Sequence, residues 1–138
     1  DDNWRKYLNP SSQKDIIFNR LHLDFSKDMV LVEGVFDAVV AGENSVPLLG
    51  STLTERSKLF YEIVKNDTPI YLALDPDAKR KADKIIKLLL KYDVQIHDIS
   101  VAPYKDVGEM SKKEFLARKH SAEVLTLDDY LLSRIKGI

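Results

Sequence analysis

Between Met29 and Ser100, short apolar runs alternate with stretches of helical period, and no other feature of this chain restricts its fold as much. The runs cover residues 29 to 33, 45 to 49, 69 to 74 and 94 to 99; they are too short for helices and rich in Val, Ile and Leu, as strands buried on both faces are. Helices are predicted between them, over about 35 to 41, 54 to 65 and 76 to 92. Strands that alternate with helices pair in parallel through βαβ crossovers. This predicts an α/β, Rossmann-like fold with a central, mostly parallel four-stranded sheet flanked by helices. Gly42 can end the first helix, Thr52 and Glu55 read as a capping box before the second, and Asn66-Asp67-Thr68-Pro69 closes it. After Ser100, a loop leads to a short helix over about 111 to 119. A last helix, about 126 to 135, opens with Thr126 and Asp129 and carries the apolar residues Leu127, Tyr130, Leu131 and Ile135 on one stripe.

The chain has 138 residues and 44% hydrophobic content, enough for one real core and not for two domains. With 21 Lys and Arg against 22 Asp and Glu, it lacks the global basic excess of a protein held to nucleic acid mainly by charge, so any such contact is local. It has no Cys, which excludes a disulfide framework and a thiolate zinc site within these residues. No stretch reaches the roughly 18 apolar residues of a membrane span, and the start resembles no signal peptide; a cytoplasmic protein with no membrane partner is expected. The lack of an initiator Met suggests a piece of a longer protein. Residues 1 to 28, with a turn at Asn9-Pro10-Ser11-Ser12, read as a connecting arm, 29 to 119 as the domain proper and 120 to 138 as a helical extension.

Two of the apolar runs end on acids. Met29-Val30-Leu31-Val32 stops at Glu33-Gly34, and Pro69-Ile70-Tyr71-Leu72-Ala73-Leu74 stops at Asp75-Pro76-Asp77. In neighbouring parallel strands these stops share the carboxyl edge, where open α/β sheets bind ligands. Three carboxylates brought together there repel one another unless a divalent cation neutralises them, and hard oxygen ligands suit Mg²⁺ or Mn²⁺. The Asp75-Pro76-Asp77 triplet also has a structural reading, with Asp75 as N-cap, Pro76 at the first helical position and Asp77 facing the helix dipole. That reading does not explain Glu33, because Glu is a poor N-cap. Gly34 can serve a positive φ, a close approach of phosphate, or an ordinary turn. Asp37 lies in the first turn of the next helix, either compensating its dipole or supporting the acidic cluster. Asp106, after the fourth strand, is a solvated loop acid or a further metal ligand.

Lys79, Arg80, Lys81, Lys84, Lys87 and Lys91 crowd one helix whose apolar stripe is Ala78, Ala82, Ile85, Ile86 and Leu89. They form a solvated face, or at the end nearest Asp77 they contact a nucleic-acid backbone through Lys79, Arg80 and Lys81. His22, His97 and His120 lack metal-ligand spacing, and neither a dinucleotide-binding nor a P-loop glycine pattern is present.

Glu33-Gly34, Asp75-Pro76-Asp77 and Asp106 on the strand ends of one α/β sheet resemble the Toprim domain of primases, topoisomerases, recombination mediators and small nucleases. Val32-Glu33-Gly34-Val35-Phe36-Asp37-Ala38, Pro47-Leu48-Leu49-Gly50-Ser51-Thr52-Leu53-Thr54, Leu74-Asp75-Pro76-Asp77 and Lys105-Asp106-Val107-Gly108-Glu109 are similar in order and spacing to the bacterial and phage DNA primase version, over about residues 29 to 116. Arg5-Lys6-Tyr7-Leu8-Asn9-Pro10 and Ile16-Ile17-Phe18-Asn19 resemble the segment joining a primase's upstream polymerase subdomain to Toprim. Pro76 stands where the family commonly has Gly, and the closing loop has Val107-Gly108-Glu109 where many primases have Pro and further acids. The resemblance implies RNA primer synthesis on single-stranded DNA from nucleoside triphosphates, with a replicative helicase as a further partner. It implies Glu33, Asp75 and Asp77 as catalytic metal ligands to Mg²⁺ or Mn²⁺, Asp106 as an additional ligand, and Gly34, Asp37 and Gly50 in support. The alternatives are a Toprim nuclease that cuts phosphodiesters with the same acids, and a non-catalytic α/β interaction module whose acids only cap helices.

Overall fold

The computed structural model describes Ile17 and residues 22–136, without the side chains of residues 133, 134 and 136. The expected turn at residues 9 to 12 and, Ile17 apart, the arm motifs lie outside the described residues. Strands β1 (Met29–Val32), β2 (Ser45–Pro47), β3 (Ile70–Leu72) and β4 (Ile96–Asp98) are parallel, and β5 (Val124–Leu125) pairs antiparallel with β4, in the order β2-β1-β3-β4-β5. The register sets Val32 beside Pro47, Leu31 beside Leu72, and Leu72 beside Asp98. Helices are α1 (Val35–Ala41), α2 (Lys58–Asn66), α3 (Lys79–Lys91), α4 (Lys112–Ser121) and α5 (Leu127–Lys136), with 3-10 turns at Pro76–Ala78 and Val107–Glu109. The parallel sheet and its flanking helices are as the sequence predicts; the sheet has five strands rather than four, because a two-residue edge strand leaves no periodic signal.

Successive residues of a strand point to opposite faces, and here both faces are covered, which is why the strands show no polar alternation. Met29 and Leu31 pack with Val46, Ile70, Leu72 and Ile96 against Leu59, Phe60 and Ile63 of α2 and Ile85, Ile86 and Leu89 of α3. Val30 and Val32 pack on the other face with Ala73, Ile99, Val101 and Val107, against Ala38 of α1 and Phe115 of α4. The chain thus forms three layers, with α1 and α4 opposite α2 and α3. Burying an aliphatic side chain of this size contributes about 1.5–3 kcal/mol, so β1, whose four residues are all buried, anchors the sheet. Among the described residues no helix is long and apolar enough to cross a membrane.

Local chemistry corrects one boundary and one buried face. The Thr52 and Glu55 capping box does not form. Instead the Thr54 N–H donates to Ser57 Oγ at 3.0 Å, the Ser57 N–H donates to the Thr54 carbonyl at 3.0 Å, and this turn delays α2 to Lys58. Glu55 turns away to accept from the Tyr92 hydroxyl. In α5, Thr126 Oγ1 accepts from the Asp129 N–H at 3.1 Å as expected, but of the apolar stripe only Tyr130 is buried, while Leu127, Leu131 and Ile135 are exposed. Gly42 ends α1 at a positive φ of 88°, as its position suggested.

The order of connections places the site. From β1 the chain moves through α1 to β2 on one side, then α2 carries it back past β1 to β3 on the other. Strand order therefore reverses between β1 and β3, and their carboxyl ends flank the crevice that such a switch leaves open.

Candidate functional site

Glu33 follows β1 and Asp75 follows β3, so the switch point lies between two acids. Glu33 is about four-fifths covered; its Oε2 accepts from Lys81 Nζ at 3.2 Å, and its Oε1 is buried without a hydrogen-bond partner. Asp75 Oδ1 is likewise buried and unpartnered. A buried carboxylate oxygen left without a donor costs more than 1 kcal/mol, so two of them at the ends of neighbouring strands mark a place built for something other than the fold. The Asp75 side chain makes no N-cap bond to the 3-10 turn it precedes; its carbonyl, not its carboxylate, receives the Ala78 N–H at 2.9 Å. Asp75 thus stands at the N-cap position, as the sequence suggests, but its carboxylate does not cap the turn. Pro76 does occupy the first position of that turn.

Burial pushes the Asp75 carboxyl up to about 6 from its ordinary 3.8, and the negative charges of Asp37, Glu33, Asp106 and Asp77 add to the shift in that order. The four acids read from the sequence, with Asp37, thus share one electrostatic neighbourhood. They occupy it unequally. Asp77 is exposed on the 3-10 turn, and Asp106 is half-buried with Oδ1 accepting from the Glu109 N–H at 3.0 Å, the capping bond of the Val107–Glu109 turn. Among the described residues no group of three or more His, Asp or Glu side chains is gathered at metal-ligand spacing.

Asp37 is the best-satisfied acid of the set. It is buried, and it accepts from the Gly34 N–H at 2.9 Å through Oδ2 and from the Gly108 N–H at 2.8 Å through Oδ1. One carboxylate so clasps the loop after β1 to the loop after β4. Gly34 is extended at φ −132°, so it serves no positive φ, and its N–H is engaged by Asp37. Gly108 permits the clasp: a Cβ there would lie 3.2 Å from Asp37 Oδ1 and 3.3 Å from Asp106 Oδ1. Glu109 Oε1 accepts from the Lys105 N–H at 2.7 Å and closes the same loop from outside. Sequence reasoning named Asp37 and Gly34 but missed Gly108, whose only signal is a glycine two residues after an acid.

The loop after β2 is tied to Glu33 as well. The Leu49 N–H donates to the Glu33 carbonyl at 2.9 Å, and Leu49 and Gly50 both take positive φ, 55° and 81°. A left-handed Leu is unusual, and it turns the chain away at the rim of the crevice, with Gly50 next to it where no Cβ strain arises. Of the basic residues, Lys79 and Arg80 are exposed at the start of α3 and Lys81 is folded onto Glu33. His97 is far from a metal role: it stacks on Tyr71 at 4.2 Å and shares hydrogen bonds with Gln95 and the Ala122 carbonyl.

Two orphaned hard oxygens in a repulsive acidic crevice fit a divalent cation of the Mg²⁺ type, which is commonly held by one or two carboxylates and otherwise by water and phosphate oxygens.

No family model matches the sequence, and no curated protein does. Among solved structures, the chain is similar to the crystal structure of the Aquifex aeolicus primase, comprising its zinc-binding and RNA polymerase domains, with 26% identity and a TM-score of 0.58 over 70% of this chain. The match covers 26% of that chain, so the present sequence spans about a quarter of its length. In fold and in sequence, the protein is similar to part of a primase.

Proposed function

We propose that this chain is the Toprim catalytic core of a DNA primase, a metal-dependent nucleotidyl transferase that makes RNA primers on a single-stranded DNA template. The observation that carries this reading is the pair of buried, unpartnered oxygens, Glu33 Oε1 and Asp75 Oδ1, at the topological switch of a sheet similar to a primase's. Glu33 and Asp75 supply the inner oxygens, and Asp77 and Asp106 add charge at the rim. Mg²⁺ or Mn²⁺ bound there would orient nucleotide phosphates, activate a primer 3′-hydroxyl and stabilise departing pyrophosphate. Asp37 fixes the two acid-bearing loops relative to each other, so the chain's own contribution is positioning and electrostatics. Lys79 and Arg80, exposed beside Asp77, are placed to meet a backbone phosphate. A cytoplasmic location and a helicase partner belong to the same reading.

The test is Glu33→Gln in the intact protein. It should leave circular dichroism unchanged and reduce primer synthesis about 10²–10³-fold, the size expected when a group that stabilises transition-state charge is lost. Near wild-type primer yield from the folded variant would remove Glu33 from the mechanism. Residues 1–138 alone, which lack a global basic excess, should bind the cation and make no primer. Nicking of labelled DNA by this chain with Mn²⁺, abolished by Glu33→Gln, would instead favour the nuclease.

A further inference from the structure

Among the described residues, the acids around Asp75 have one cationic partner. Lys81 Nζ lies 3.2 Å from Glu33 Oε2, and among the described residues no other Lys or Arg pairs with Glu33, Asp37, Asp75, Asp77 or Asp106. Both side chains are mostly covered, 20% exposed for Lys81 and 19% for Glu33, so salt screens the pair less than it screens a surface ion pair. The contact is nonetheless single-pronged. Only Oε2 is engaged, Oε1 stays without a donor, and the ammonium is a compact point charge on a flexible stem rather than a planar fork. Such a contact exchanges readily for a doubly charged ion. The covalent layout matters as well: Lys81 sits in the first turn of α3, six residues after Asp75, so the connection that brings Asp75 to the crevice also brings this ammonium. Its neighbours Lys79 and Arg80 are exposed and reach none of the acids.

We propose that Lys81 is an internal counter-ion that holds Glu33 in the metal-free protein and is displaced when a divalent cation takes Glu33, so that this one ammonium sets the affinity of the crevice for metal. The proposal rests on the metal reading given above. In the metal-free chain, Lys81 offsets the charge of Glu33 at 3.2 Å, which keeps the crevice ordered without filling it. A cation binding at Glu33 must break this pair and then repels the ammonium, so Lys81 lowers metal affinity by the worth of the pair.

The experiment is Mn²⁺ titration by calorimetry of the 138-residue chain as wild type, Lys81→Met, Lys81→Gln and Lys79→Met, each checked for folding by circular dichroism, with melting curves in chelator. The two Lys81 variants should bind Mn²⁺ about two- to fivefold more tightly, the factor a partly covered ion pair supplies, and should melt below wild type in chelator. Lys79→Met removes the same charge from the exposed neighbour and should change affinity by less than about 1.5-fold, because an exposed charge at longer range is screened. Unchanged affinity in folded Lys81 variants beside a wild type that binds would overturn the proposal and leave the metal site standing. Equal tightening by Lys79→Met would also overturn it, since general charge and not the pair would then be responsible. No Mn²⁺ binding by any of the four chains would overturn the metal site itself, and the counter-ion role with it.

Discussion

In the loop that follows β4, each carboxylate has a backbone donor: Asp106 takes the Glu109 N–H, Glu109 takes the Lys105 N–H, and Asp37 reaches across to take that of Gly108. In the crevice between β1 and β3, on the same edge of the same sheet, Glu33 and Asp75 each keep a buried oxygen with no donor. The difference separates two uses of one residue type. A carboxylate whose oxygens are hydrogen-bonded is part of the scaffold and stabilises the fold with its charge. One that keeps a buried oxygen bare destabilises the metal-free chain and retains its capacity to bind a cation.

The comparison breaks first at Asp37, where the largest effect is expected. Asp37→Ala leaves the N–H groups of Gly34 and Gly108 without their acceptor, and hydrogen bonds to a charged group contribute about 1.5–3 kcal/mol each before the partners recover water. We expect a loss of about 3 kcal/mol in denaturant unfolding in chelator. A loss below about 1 kcal/mol would mean that the loops are held by the apolar contacts of Val107 and Phe115 instead, and that Asp37 belongs with the crevice acids.

What the sequence disclosed and what it hid divide along the same line. The runs ending at Glu33 and Asp75 are legible because a doubly covered parallel strand must be apolar throughout, so the first acid after it marks the carboxyl edge. Asp37 reads equally well as dipole compensation or support, because its decisive partner, Gly108, is 71 residues away and such a contact leaves no local spacing. The capping box at Thr52 and Glu55 fails for a related reason: Glu55 finds Tyr92, 37 residues on, and the nearer Thr54 and Ser57 close a turn of their own. Lys81 looks like one more member of a basic helix face until the fold sets Glu33 opposite it. Periodicity reports which face is buried, whereas hydrogen-bond and charge partners across the sheet depend on the assembled fold.

A smaller effect, of opposite sign, is expected at Asp75. Its folded carboxyl lies at about 6 against an ordinary 3.8, so in between the folded chain holds a proton that the unfolded chain releases. The contribution of this proton to stability is complete below pH 3.8 and is lost as pH rises through about 6. Asp75→Asn should remove that loss. In chelator at pH 8 the variant should be more stable than wild type by about 1 kcal/mol, a figure reduced for partial solvent screening. Its stability should also no longer decline between pH 4 and 7 as the wild type's does through this group. With Mg²⁺ the order should reverse, because the cation stabilises the folded state only in proportion to its affinity. A variant less stable than wild type in chelator at pH 8 would show that Asp75 is satisfied after all.

The smallest effect, and the sharpest division between scaffold and site, belongs to Asp77. It stands exposed on the 3-10 turn that leads into α3, and among the causes that raise the Asp75 carboxyl its charge comes last. As a dipole partner alone, its neutralisation in Asp77→Asn should cost about 0.3–1 kcal/mol whether or not Mg²⁺ is present. As a rim acid of the crevice, the same change removes a repulsive charge, which offsets the dipole loss, so the melting temperature in chelator should stay within about 1 °C of wild type or rise, given the roughly 2–4 °C that 1 kcal/mol moves a domain of about 150 residues. The separating quantity is the response to metal. Several millimolar Mg²⁺ should raise the melting temperature of the variant less than that of wild type, since an oxygen contributing to the cation's field is gone. A variant that loses stability in chelator and keeps the whole wild-type Mg²⁺ shift would place Asp77 with Asp106 and Glu109, among the acids that hold loops together, and would narrow the candidate metal ligands to Glu33 and Asp75.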